Sequence, residues 1–147
     1  MMMNFSNSKR ILVFDSGHEI ESLLILQLEG NYQITRTADI NDAATLHCKN
    51  PFDLAIVELF LPDNDGFDTI LELRRLPAPP KFIVTAEDSL SARTHFKIAR
   101  HLGAQRILPK PINMDELLAA VRNSFLDVAM EKLTSDERAI LHLTQLL

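Results

Sequence analysis

Apolar residues along the chain follow two alternating rhythms. Short, nearly unbroken apolar runs lie at Arg10 to Asp15, Leu54 to Leu59 and Lys81 to Thr85, with weaker ones at Gln33 to Thr37 and Arg106 to Leu108. Runs of this length read as strands, and the nearly all-apolar ones read as strands covered on both faces. Between them, apolar residues recur at helical spacing: Ile20, Leu23, Leu24 and Leu28, then Ala43, Ala44 and Leu46, then Ile70, Leu71 and Leu73. A fourth helix is expected from Ser91 to Leu102, where Gly103 supplies a left-handed cap. A fifth starts at the Asn113 cap, with Glu116 three residues on and Leu117, Leu118, Val121 and Phe125 facing the core.

This succession of βα units predicts an α/β fold, a doubly wound five-stranded parallel sheet with helices on both faces. The cluster Pro77, Ala78, Pro79, Pro80 reads as a rigid connector before the fourth strand. Beyond Phe125 the stripe continues through Val128 with no Gly or Pro before Thr134, so the fifth helix is expected to run long. Thr134 and Glu137 have capping-box spacing, and Ile140, Leu143 and Leu147 give a sixth helix an apolar edge. The expected division is a disordered tail over 1–8, one domain over 9–126 and a helical extension over 127–147.

Composition narrows the function. With 147 residues and 46% apolar content the chain can bury one sizeable core. A formal net charge of -5 gives no broad basic field, so direct nucleic-acid binding by this chain is not expected. No apolar run reaches the roughly 18 residues of a membrane span, and the Met-rich start lacks the core of a secretory signal, so the expected location is cytoplasmic, away from membranes. Cys48, the only cysteine, is expected to be a small buried helix residue. His18, His47, His95, His101 and His142 lack metal-pair spacing and read as surface or boundary residues.

In an open parallel sheet the chemistry gathers at the carboxyl ends of the strands. Those ends carry Asp15, Glu58 and Thr85, and Lys110 follows the fifth strand within Leu108-Pro109-Lys110-Pro111. Two carboxylates, a hydroxyl and an ammonium should converge there.

The pieces ILVFDSG, DLAIVELFLPDNDG, KFIVTAED and LGAQRILPKP stand in the order and spacing of the receiver domains of bacterial two-component response regulators. The chain resembles this CheY-like family over about residues 9 to 126, which implies a flavodoxin-like sheet and a signalling role in place of enzymatic turnover. By that resemblance Glu58 stands where an aspartate accepts the phosphoryl group. Thr85 stands at the switch hydroxyl, Lys110 at the phosphate-gripping lysine, Pro111 at the family's cis peptide and Ile107 at the aromatic switch. The family's magnesium site maps onto Asp15, Ser16, Glu58 and the backbone of Phe60.

Three departures matter. The acid pair after the first strand is reduced to Asp15 and Ser16, so a charged metal ligand has become a neutral hydroxyl and magnesium binding is expected to be weak or lost. Glu58 is one methylene longer than an aspartate, and phosphoryl transfer depends on positioning. Ile107 has no ring to rotate. Glu58 could therefore reach Lys110 and Thr85 in partial imitation of a phosphorylated state, or form an inert ion pair with Lys110. No other cofactor is implied.

Output is then expected through protein partners, such as a histidine kinase or a downstream effector, and through a homodimer seam using Leu26, Val128, Ile140, Leu143 and Leu147. Arg93, Lys97, Arg100, Arg106 and Arg122 would decorate the face that receiver domains use for partners, or simply solvate it. Three alternatives stay open. Another carboxylate, Asp63 or Asp65, could be phosphorylated; the chain could be a small flavin-binding protein; or LTSDERAILHL could open a DNA-binding domain of a longer regulator.

Overall fold

The three apolar runs become the inner strands of the sheet because they are the segments that lose nothing by being covered on both sides. The computed structural model describes residues 8–61, 66–87, 90–131 and 134–145, without the side chains of 90–92, 127–131, 141, 142, 144 and 145. The expected tail apart from Ser8, and the side chains of Asp63, Asp65, Val128, His142 and Leu147, lie outside that description. The elements are β1 (Lys9–Phe14), α1 (Glu19–Gln27), β2 (Tyr32–Thr37), α2 (Ile40–Lys49), β3 (Leu54–Glu58), α3 (Gly66–Arg75), β4 (Lys81–Glu87), α4 (Leu90–His101), β5 (Ala104–Lys110), α5 (Met114–Glu131) and α6 (Ser135–Gln145). All strand pairs are parallel, in the order β2-β1-β3-β4-β5.

Side chains alternate across the sheet and build a core on each face. Leu12, Phe14, Ala55, Val57, Val84 and Ala86 meet Ala43 of α2, Ile70 and Leu73 of α3 and Ala99 of α4. Ile11, Val13, Leu54, Ile56 and Ile83 meet Ile20 and Leu24 of α1 and Leu117, Ala120 and Val121 of α5. The period-two alternation of the strands produces both layers from one set of runs. β5 extends beyond the three residues its sequence indicated, because a register shift against β4 accommodates its less apolar start.

Helix ends follow the capping chemistry. Asn113 Oδ1 accepts from Glu116 N at 3.0 Å, and Gly103 adopts a φ of 104° after α4. Thr134 and Glu137 exchange two hydrogen bonds, at 3.0 and 3.2 Å, and start α6. No helix among the described residues is long and apolar enough to cross a membrane.

Three sequence expectations are corrected. His47 is not a boundary residue: it is fully buried, Nδ1 accepts from Phe52 N at 3.1 Å, and Nε2 donates to the carbonyls of Pro77 and Ala78 at 3.2 and 3.0 Å. It lies four residues after buried Ala43, which places it on the inward face of α2. Cys48, one residue on and about 100° further round the helix, is exposed instead of buried. Leu71 is likewise 38% exposed, because Gly66, Thr69, Ile70 and Leu73 take the inward face of α3.

Candidate functional site at the carboxyl edge of the sheet

β1 ends at Phe14, and Asp15 follows it 5% exposed, with its N–H bonded to Thr37 O at 3.2 Å. Asp15 Oδ1 accepts from Gly17 N at 2.8 Å, which closes the turn into α1. Arg36 of the neighbouring β2 donates to Asp15 O at 2.8 Å and fixes the same turn from the other side. Only Oδ2 remains to face the middle of the sheet edge.

Glu58 ends β3 and pairs in register with Thr85 of β4. Its backbone is held from both directions. Leu59 N donates to Thr85 O at 2.9 Å, and Gly66 N donates to Leu59 O at 2.8 Å. A Cβ at Gly66 would stand 2.3 Å from Glu58 O and 2.7 Å from Leu59 Cα, so only glycine lets α3 begin this close to the strand end.

Lys110 ends β5, and the Lys110-Pro111 bond is cis. Lys110 Nζ lies 2.5 Å from Glu58 Oε1 and 3.4 Å from Asp15 Oδ2, so one ammonium bridges two carboxylates. The other Glu58 oxygen faces Ser16, with the Ser16 hydroxyl at 3.3 Å and its N–H at 3.4 Å. Burial works to lower the Lys110 pKa. The Glu58 hydrogen bond and the charges of Asp15 and Glu58 outweigh it, so the ammonium is held above its ordinary value.

The sheet edge thus joins Asp15, Ser16, Glu58 and Lys110 by direct contacts. Thr85 is placed beside them by register, fully buried, yet its hydroxyl has no hydrogen-bond partner. The reach of Glu58 toward Thr85 is not made; its second oxygen turns to Ser16, a contact the sequence did not indicate. Ile107 is half-buried against the α2, α3 and α4 side of the core. Phe60 is 45% exposed and its ring meets His95 of α4, with centroids 5.0 Å apart.

A magnesium ion here would find two carboxylates and a neutral hydroxyl. Magnesium favours one or two carboxylates in near-octahedral oxygen coordination. Both carboxylates already contact the Lys110 ammonium, so an ion would have to share them with that charge. Among the described residues no group of three His, Cys, Asp or Glu side chains is arranged to hold a metal.

Comparison with known proteins gives the class of domain to which this sheet and its acid-and-lysine edge belong. The family description "Response regulator receiver domain" matches residues 11–122. The chain belongs to that family. The transcriptional regulatory protein CpxR of Klebsiella pneumoniae is 34% identical over 115 residues, covering 77% of this chain and 47% of that protein. The transcriptional regulatory protein GltR of Pseudomonas aeruginosa is 34% identical over 124 residues, covering 80% of this chain and 49% of that protein. The non-phosphorylated HemR receiver domain of Leptospira biflexa superposes with a TM-score of 0.65 at 25% identity, over 87% of this chain and 97% of that one. The chain spans about half the length of the curated relatives it matches. Family membership takes the place of the flavin-binding alternative: this is a response-regulator receiver domain of two-component signalling.

Proposed function

We propose that this receiver domain signals without being phosphorylated and delivers its output through protein association. The observation that carries the reading is the bridging ammonium, with Lys110 Nζ 2.5 Å from Glu58 and 3.4 Å from Asp15. By resemblance to the family, Glu58 occupies the phosphoacceptor position, and the lysine that would grip a phosphoryl group already holds it. A donor would have to break that pair, and magnesium would have to displace the ammonium to help, so magnesium binds weakly here. The contacts favour a resting ion pair over full imitation of a phosphorylated state. Glu58 reproduces a grip on Lys110 but leaves the Thr85 hydroxyl without a partner.

The partner surface is apolar and lies on the helices. Ile25 and Leu26 of α1 and Leu143 of α6 are each exposed by 60% or more. Patches of this kind mark association surfaces, and a homodimer seam along α1, α5 and α6 would cover them. A kinase or effector would compete for the same surface.

One experiment tests both halves. The chain is incubated with acetyl phosphate and magnesium, then weighed intact and sedimented at tens of micromolar. No added mass and a dimer indifferent to the donor are expected. A stable, acyl-phosphate-sensitive mass increase sinks phosphorylation independence, and a monomer under both conditions sinks the seam.

A second reading is favoured by one observation: CpxR and GltR are named transcriptional regulatory proteins about twice the matched length. In it, the chain is the receiver module of a longer regulator, and α6 opens the segment that leads to a DNA-binding domain.

A further inference from the structure

We propose that Phe60, His95 and Phe67 form an aromatic bridge that transmits the state of the Glu58 pocket to α4. The proposal rests on the reading of Glu58 as the resident carboxylate of that pocket.

Three rings meet beside the site, one from the segment after β3, one from α3 and one from α4. Phe60 follows Glu58 by two residues and meets His95 of α4 edge-on, with centroids 5.0 Å apart and planes at 81°. Phe67, in the first turn of α3, stacks on the same His95 at 5.6 Å and 16°. His95 is therefore held by two rings in two different orientations. Edge-to-face and stacked contacts are directional, so a displacement of Phe60 reorients the His95 contact.

The backbone between Glu58 and Phe60 leaves little room to absorb a change locally. Leu59 is fully buried and bonded on one side to Thr85 and on the other to Gly66, and Gly66 sits against Glu58 O with no space for a Cβ. Phe60, 45% exposed, is the first side chain after Glu58 that is free of the core. Phe67 anchors the far end, packed against the buried cluster that includes Val84, Ala86 and Ala99. Ile107 packs on that cluster too, but as an aliphatic side chain it offers no ring for a directional contact. The element that receives the signal is α4, whose exposed Arg93, Lys97 and Arg100 form a basic face. Packed side chains carry coupling where an element has two arrangements that both sites bias.

The test is amide hydrogen exchange read along residues 93–101. Glu58→Gln removes the charge that holds Lys110, and with the rings intact it should change α4 exchange rates by about two- to thirtyfold. In a Phe60→Leu background, and separately in Phe67→Leu, the same Glu58→Gln change should leave α4 exchange unaltered. Leucine keeps an apolar side chain at each position and removes only the ring geometry. The proposal is overturned if α4 ignores Glu58→Gln while the rings are present, or responds equally after either ring is removed. Labelling by acetyl phosphate would count against phosphorylation independence alone, since the exchange comparison uses no phosphodonor.

Discussion

His47 at the amino edge of this sheet and the Lys110 cluster at its carboxyl edge hold their polar groups in opposite ways. At the amino edge His47 is fully buried and both ring nitrogens are used, joining α2 to the start of β3 and to the proline connector before β4. Its hold on Ala78 O matters because Ala78, a non-glycine residue, has a φ of 52°. Beside it Arg10 N donates to the exposed Asp53 carboxylate and Asp53 N to Arg10 O, both at 2.8 Å, while the Arg10 guanidinium lies 4.8 Å from the Phe52 ring centre with its Nε buried and without a hydrogen-bond partner. At the carboxyl edge the polar groups are charged, partly open to water and unevenly satisfied: three ions share one set of contacts while a buried hydroxyl has none. A fully buried ring bonded through both nitrogens fastens segments together, whereas a charged cluster near solvent contributes less to stability and can be rearranged. The amino edge is built to hold and the carboxyl edge to respond.

If that contrast is right, His47→Ala should be the most damaging change. It strands Phe52 N–H and two carbonyls, opens a cavity and releases the Ala78 turn, for an expected loss of about 3 kcal/mol. Urea denaturation measures it, and a loss under about 1 kcal/mol would erase the difference between the edges. Lys110→Met should cost less, about 1–2 kcal/mol, because the side chains of Lys110, Glu58 and Asp15 keep 22%, 13% and 6% of their surface in water. The same pair sets a pH dependence. The folded Lys110 pKa lies above its ordinary 10.5, so its contribution is fully present below that value and is lost as pH rises through the folded pKa. The stability gap between the native chain and Lys110→Met should therefore stay constant from neutral pH to about 10 and narrow above it. A gap that widened in alkali would reverse the sign and dismiss the pair.

The sheet was legible in the sequence because strands covered on both faces must be apolar throughout, and the segments at Ile11, Leu54 and Phe82 satisfy that without ambiguity. The caps at Asn113 and Thr134 were legible because capping is local chemistry at fixed spacing. Asp15, Glu58 and Lys110 could be brought together in advance because strand order alone assigns their edge. What could not be read depends on which way side chains turn. His47 is polar yet faces inward, because its ring ends on backbone carbonyls 30 and 31 residues away that no local pattern reveals. Only its spacing of four from Ala43 hinted at burial. The Glu58 oxygen that turned to Ser16, and the rings of Phe60, Phe67 and His95, were missed for the same reason: these contacts join residues distant in sequence with no periodic signature.

The smallest expected effect is the sharpest test of the carboxyl edge. Thr85 is fully buried and its hydroxyl has no partner, whereas most buried hydroxyls are bonded. Thr85→Val keeps the branched shape and exchanges an unsatisfied hydroxyl for a methyl group. The native state should be unaffected or stabilised by up to about 1 kcal/mol, since no hydrogen bond is lost and a desolvation penalty is removed. Combined with Glu58→Gln, the effect should be additive to within about 0.5 kcal/mol, because no hydrogen bond joins these two neighbouring side chains. Urea denaturation of the native chain, both single variants and the double variant closes the cycle. A loss above about 1 kcal/mol for Thr85→Val alone, or a clear coupling to Glu58, would mean that the hydroxyl is engaged in solution. Glu58 would then grip both Thr85 and Lys110, and the pocket would be a standing copy of the phosphorylated arrangement instead of a resting ion pair.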